Sequence, residues 1–173
     1  VLFLLIVTLL AIIFIVEIFT PFVIFLIAPG FVENDLKYNL AIEFSRITFP
    51  FLLFVSISSF FSGILNANNK FAAAAAAPII LNVLLILCLI FANKFGDTLV
   101  YYLSYTVSVA GLVQFIFLIF FVRKFYLPNF ELKFKIHENI KIFFKKLLPS
   151  IFASGVTQIN ILVGTIIASF QAS

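Results

Sequence analysis

Four polar side chains interrupt long apolar stretches of this 173-residue chain: Glu17, Asn82, Gln158 and Asn160. A carboxyl in such a place, as at Glu17, must face a wet cavity, pair with a base or hold its proton. The primary amides of Asn82, Gln158 and Asn160 can line a polar path or cement one helix to another. Each has a bland alternative, and for Glu17 it is a carboxyl at the membrane interface. Four prolines complete the set. Pro21, Pro50, Pro78 and Pro149 each lie in an apolar run, and each removes a backbone donor and frees a carbonyl that something else must satisfy. Such helices are built to bend. No nucleophile stands beside a base, no carboxylates are paired, no His/Cys/Asp/Glu group has metal-ligand spacing, and no phosphate loop occurs, so catalysis, a metal and a cofactor are all disfavoured.

The elements that hold these residues follow from run length. Val1 to Ala28, Ile47 to Leu65, Ala72 to Ala92, Leu99 to Val122 and Leu147 to Phe170 are near the twenty or so residues that cross about 30 Å of hydrocarbon. With 64% hydrophobic and 10% charged residues, and runs apolar around their whole circumference, a water-soluble bundle is excluded. The expected fold is all-α, a polytopic membrane bundle of five transmembrane helices. The chain has no Met and both ends fall in apolar helix, so it reads as an internal piece of a longer protein.

Basic residues set the orientation. Lys37, Arg46 and Lys94 fall in loops on one side, whereas Lys70, Arg123, Lys124, Lys133, Lys135, Lys141, Lys145 and Lys146 fall on the other. Eight against three places the Asn66–Phe71 and Arg123–Lys146 loops in the cytoplasm. The net charge of +4 reports this asymmetry rather than a nucleic-acid partner. Within the long loop, Phe130, Leu132, Phe134 and Ile136 alternate with polar residues, an extended pattern. Ile140, Phe143, Phe144 and Leu147 then take helical spacing, which predicts a short amphipathic helix at the membrane surface. His137 stands alone and Cys88 reads as a small buried hydrophobe. Ala28-Pro29-Gly30-Phe31 predicts a turn closing the first helix on the outer side. Asn66-Ala67-Asn68-Asn69 predicts one inside, with Asn68 or Asn69 able to cap the next helix. Ala72–Ala77 predicts a small-residue face for close helix approach.

Read in order, Ala28-Pro29-Gly30-Phe31, Arg46-Ile47-Thr48-Phe49-Pro50-Phe51, Gly63-Ile64-Leu65-Asn66, Phe71, Pro78, Asn82, Gln158 and Ala168-Ser169-Phe170 resemble the MurJ (MviN) family of lipid II flippases. The resemblance covers essentially the whole chain. It implies a two-lobed fold around a V-shaped cavity, shared with multidrug exporters (MATE) and polysaccharide-unit flippases of the MOP superfamily. Residues 1–122 would then belong to the N-terminal lobe as four transmembrane helices, 123–146 to the cytoplasmic linker between lobes, and 147–173 to the first helix of the C-terminal lobe. It further implies that lipid-linked peptidoglycan precursor is turned from the cytoplasmic to the outer face of a bacterial inner membrane by alternating access, with membrane lipids as the other partners. The arginines that bind the diphosphate in the family lie in regions this chain does not include. Gly164 stands where some members carry a carboxylate that helps bind sodium, so coupling through that position is not implied. Asn82, Gln158, Asn160 and Glu17 are the expected cavity residues, Asn82 first among them. The rival readings are another exporter of the same superfamily and a non-transporting membrane subunit, in which all four side chains would point into helix contacts.

Overall fold

A computed structural model describes residues 2–92, 98–126 and 138–171 of the chain. The elements are α1 (Leu2–Ile18), α2 (Thr20–Ile27), a 3-10 turn (Pro29–Glu33), α3 (Asp35–Thr48), α4 (Pro50–Ala67), α5 (Phe71–Ala92), α6 (Leu99–Val122) and α7 (Glu138–Gln171), with no strand among the described residues. The chain is an all-α polytopic membrane protein. Three helical stretches are long and apolar enough to span a bilayer, Asp35–Ala67, Phe71–Phe91 and Leu99–Val122, and α1 with α2 makes four if that interrupted pair is one span. The fifth expected run lies within α7, which continues without interruption from Glu138 through Pro149 to Gln171. The extended pattern at Phe130–Ile136 falls outside the described residues.

The second span departs from the sequence expectation. It begins not at Ile47 but at Asp35, and covers 33 residues, about 50 Å of helix at 1.5 Å each. The stretch read as an outer loop carrying Lys37 and Arg46 is therefore helical. Asn34 Oδ1 accepts the Lys37 backbone N–H at 3.1 Å, an N-cap bond. Asp35 in the first turn and Arg46 in the last complement the helix dipole of α3.

The chain divides into two compact units. The first comprises Val1–Thr20 and Leu40–Asn129. Leu2, Ile57, Phe61, Leu65, Ala77, Leu118 and Val122 form its core, drawn from α1, α4, α5 and α6, with Ala73 and Ala74 packed against it. Lipid is as apolar as any side chain, so close packing rather than water exclusion must hold these helices together. Small residues make that possible. A Cβ on Gly111 of α6 would stand 2.6 Å from the Phe51 ring and 3.2 Å from Phe54 Cβ, both on α4. Phe61 stacks on Phe115 at 6.0 Å between ring centroids, and Phe44 meets Tyr101 edge-on at 4.9 Å. Phe14, Ile90 and Phe91, each more than 60% exposed, lie on the outside, where hydrocarbon is the solvent.

The turn after α4 uses its asparagines on the helix that ends there, not on the one that follows. Asn69 takes the left-handed conformation with φ 58°. Lys70 N–H reaches back to Leu65 O at 2.8 Å. The Asn68 amide donates to Ile64 O at 2.8 Å, so the last carbonyls of α4 are satisfied.

The second unit comprises Pro21–Asn39 and Phe130–Ser173. Here the 3-10 turn rests on the end of α7. Gly30 N–H donates to Ser169 Oγ at 3.1 Å, and Ser169 Oγ donates in turn to Ile166 O at 2.7 Å. A Cβ on Gly30 would lie 2.4 Å from Ser169 O and 2.7 Å from Phe170 N, so only glycine lets the two backbones approach this closely.

Candidate functional site

The four expected polar residues are divided between the two units. In the first unit Glu17 is half-buried near the end of α1, and Asn82 is exposed one turn past Pro78 on α5. In the second unit Gln158 and Asn160 are both exposed on α7. Two residues apart on a helix, these two amides occupy different faces and cannot act on one small group together. Within neither unit does a hydrogen bond among the described residues join the two. Gly164 on α7 opens onto empty space, with nothing within 4 Å of where a Cβ would stand.

The structure shows instead a polar arrangement organised around the prolines. Pro21 withholds the N–H that Glu17 O would accept, and α1 stops at Ile18, with α2 beginning at Thr20. The fully buried Thr20 supplies the missing donor, its hydroxyl lying 2.9 Å from both Val16 O and Glu17 O. On the far side of the break, Tyr38 hydroxyl donates to Pro21 O at 2.7 Å. The carboxyl of Glu17 thus sits on the turn that Thr20 stitches.

Pro50 also has a threonine two residues before it, but that hydroxyl bonds carbonyls other than the Arg46 O that Pro50 deprives of its donor. α3 ends at Thr48 and α4 begins at Pro50, with Thr48 hydroxyl 2.9 Å from Phe44 O and 3.1 Å from Ser45 O. Just before Thr48, Ile47 O accepts a hydrogen bond from the Ser108 hydroxyl on α6. Close by, Tyr101 hydroxyl donates to Glu43 Oε2 at 2.9 Å, a second polar tie between α3 and α6.

Pro78 sits inside a continuous α5. The carbonyl just before it, Ala77 O, accepts from Gln114 Nε2 of α6 at 2.6 Å. Gln114 is only 3% exposed, and its Oε1 has no partner among the described residues. Amides on α5 and α7 were the expected cement or cavity lining, and Gln114 was not among them. Its signal was nonetheless present, a lone amide in mid-run one turn after the small Gly111. Ser108 and Tyr38 were missed for another reason, since their partners, Ile47 O and Pro21 O, are backbone carbonyls of other helices that only tertiary packing brings within reach. The serines of α4 differ among themselves. Ser59 donates to its own helix at Val55 O, 2.9 Å away, while the buried Ser58 hydroxyl has no partner among the described residues.

Chemically, this arrangement ties α6 to α3 and α5 and satisfies backbone carbonyls. No cluster of three or more His, Cys, Asp and Glu capable of holding a metal occurs among the described residues. What it provides is one proline break, at Pro21, whose freed carbonyl is made good by a side chain, interhelical hydrogen bonds beside Pro50 and Pro78, and three exposed amides.

Comparison with known proteins adds the family. The model described as lipid II flippase MurJ matches residues 1–173. A probable lipid II flippase of Rickettsia prowazekii is 38% identical over 165 residues, covering 94% of this chain and 32% of that protein. One from Rhizobium tropici is 36% identical over 166 residues, covering 93% and 31%. The lipid II flippase MurJ of Burkholderia cenocepacia is 31% identical over 151 residues, covering 85% and 29%. The chain spans about a third of the length of the curated relatives it matches.

Proposed function

Because this chain belongs to the MurJ family of lipid II flippases, we propose that it forms part of a transporter that turns lipid-linked peptidoglycan precursor from the cytoplasmic to the outer face of a bacterial inner membrane. The observation that carries this reading is the family match over all 173 residues. The helical architecture is consistent with it. A diphosphate–sugar head group cannot cross hydrocarbon unaided and needs a water-filled cleft open to one side at a time. The helix interrupted before Pro21, with a donor in place at the break, is suited to rearrange without stranding a bare carbonyl in lipid. Transport rather than enzymic turnover is the proposed activity, in keeping with relatives named as flippases. Within it, residues 1–122 are assigned to the first lobe, 123–146 to the linker and 147–173 to the start of the second lobe.

Asn82 and Gln158 are proposed to face the transport path, because each is an exposed amide at membrane depth. Glu17 and Asn160 are proposed as its further polar lining. The test is complementation. The full-length gene should support growth as the sole flippase of a bacterial host, and Asn82→Leu should impair growth while leaving protein level nearly unchanged. Failure of the wild-type gene, at normal protein level, contradicts the proposed function; normal growth with Asn82→Leu removes that residue from the path.

A further inference from the structure

At the end of the first unit that carries Lys70 and Lys124, the turn between α4 and α5 and the last turn of α6 enclose a cavity of about 650 Å³. That volume falls within the roughly 300–1,000 Å³ of sites for small ligands. Its floor is the fully buried Leu65, and Ala72 and Ala73 leave its α5 wall shallow. Phe71, Phe121 and Phe125 form the apolar sides, each of them exposed. Lys70 and Lys124 also line it and are its charged residues among those described. Lys70 Nζ stands 6.0 Å from the centre of the Phe125 ring, so the ammonium is held over the pocket's aromatic side. Asn69, in its left-handed turn, directs the chain so that Lys70 follows at the rim.

We propose that this pocket binds the head group of an anionic glycerophospholipid of the cytoplasmic leaflet. Charge complementarity selects the occupant, since among the described residues two ammonium groups border the space and no carboxylate does. Position selects a lipid over a soluble anion. The pocket lies at the ends of α4, α5 and α6, all three of them within apolar spans, on the side to which basic asymmetry assigns the cytoplasm. There the phosphate meets Lys70 and Lys124 while the upper acyl chain lies along Phe71, Phe121 and Phe125. The site makes no use of the amides or prolines assigned to transport. Its failure and theirs are therefore separable.

The experiment titrates the purified full-length protein with dioleoylphosphatidylglycerol and with dioleoylphosphatidylcholine, reading bound lipid by native mass spectrometry. The wild type should prefer the anionic lipid. Each of Lys70→Gln and Lys124→Gln should weaken its binding about fivefold, and the double variant about thirtyfold, the magnitude expected of basic groups at an anionic head-group layer. Both lysines are exposed, so the variants should fold normally. Arg123 provides the control. Its guanidinium lies over the Phe120 ring at 4.3 Å and is not part of the pocket lining. Arg123→Gln should weaken binding less than twofold. An equal effect from Arg123→Gln would reduce the phenomenon to general surface attraction, and no preference for the anionic lipid in the wild type would overturn the site. Competition by soluble glycerol phosphate at the same concentration as lipid would assign the pocket to a free phosphate ester and refute the lipid.

Discussion

Thr20 illustrates how this chain tolerates proline at membrane depth. A carbonyl freed in lipid costs several kcal/mol unless something donates to it, and the hydroxyl one residue before Pro21 does so. Thr20→Val keeps the shape and removes the donor. It should destabilise the full-length protein by about 1 kcal/mol, seen as a lowered thermal midpoint in detergent. Thr106→Val provides the contrast, since that hydroxyl bonds only within an unbroken α6, to Tyr102 O at 2.7 Å; it should be nearly silent. Equal losses would mean that Thr20 has no special part at the break. Gln114 makes a similar case across two helices. Gln114→Leu removes the bond to Ala77 O, and interhelical bonds of this kind are worth about 0.6 kcal/mol in bilayers. The unpartnered Oε1 is removed with it. A small loss of stability, no more than about 1 kcal/mol, is therefore expected from chemical unfolding in mixed micelles. A loss several times larger would show that the amide does more than tie α6 to α5.

At the scale of elements, the apolar runs were legible because length alone nearly decides a membrane helix. The breaks within and before them were less so. The first run reads as one helix from Val1 to Ala28, but the chain forms α1 and α2 with the interruption at Phe19, two residues before Pro21. The polar stretch from Asp35 to Arg46 reads as a loop because mean polarity hides its period. Leu36, Leu40, Phe44 and Ile47 recur at three- and four-residue spacing, and Asn34 supplies the cap, so the pattern for α3 was present. Conversely, the turn at Pro29-Gly30 was visible, but its docking on Ser169, 139 residues away, depends on a tertiary contact that no local pattern records. That contact yields a prediction at the same scale. Gly30→Ala should lower protein level and thermal midpoint more than Ser169→Ala, because the added methyl meets backbone at 2.4 Å whereas the serine change removes one hydrogen bond. The opposite order would mean that α7 moves aside at little cost.

For the molecule as a whole, orientation and transport are the claims to be tested. Cysteines introduced at Asn69 and Asn139 should be shielded from an impermeant thiol reagent added to intact cells, and one at Asn34 should react. Labelling of Asn139 from outside would reverse the assignment of the basic loops. The residues that bind substrate charge were not legible here, since the chain carries about a third of the length of its relatives and the family's diphosphate-binding arginines are expected elsewhere. The most direct test follows the substrate itself. In cells depleted of their own flippase and supplied with the full-length protein, an impermeant lipid II hydrolase added from outside should cleave lipid-linked precursor. Cleavage restored to the level of undepleted cells is the predicted result. Precursor that accumulates and stays protected, with the protein present at normal level in the membrane, would contradict the account.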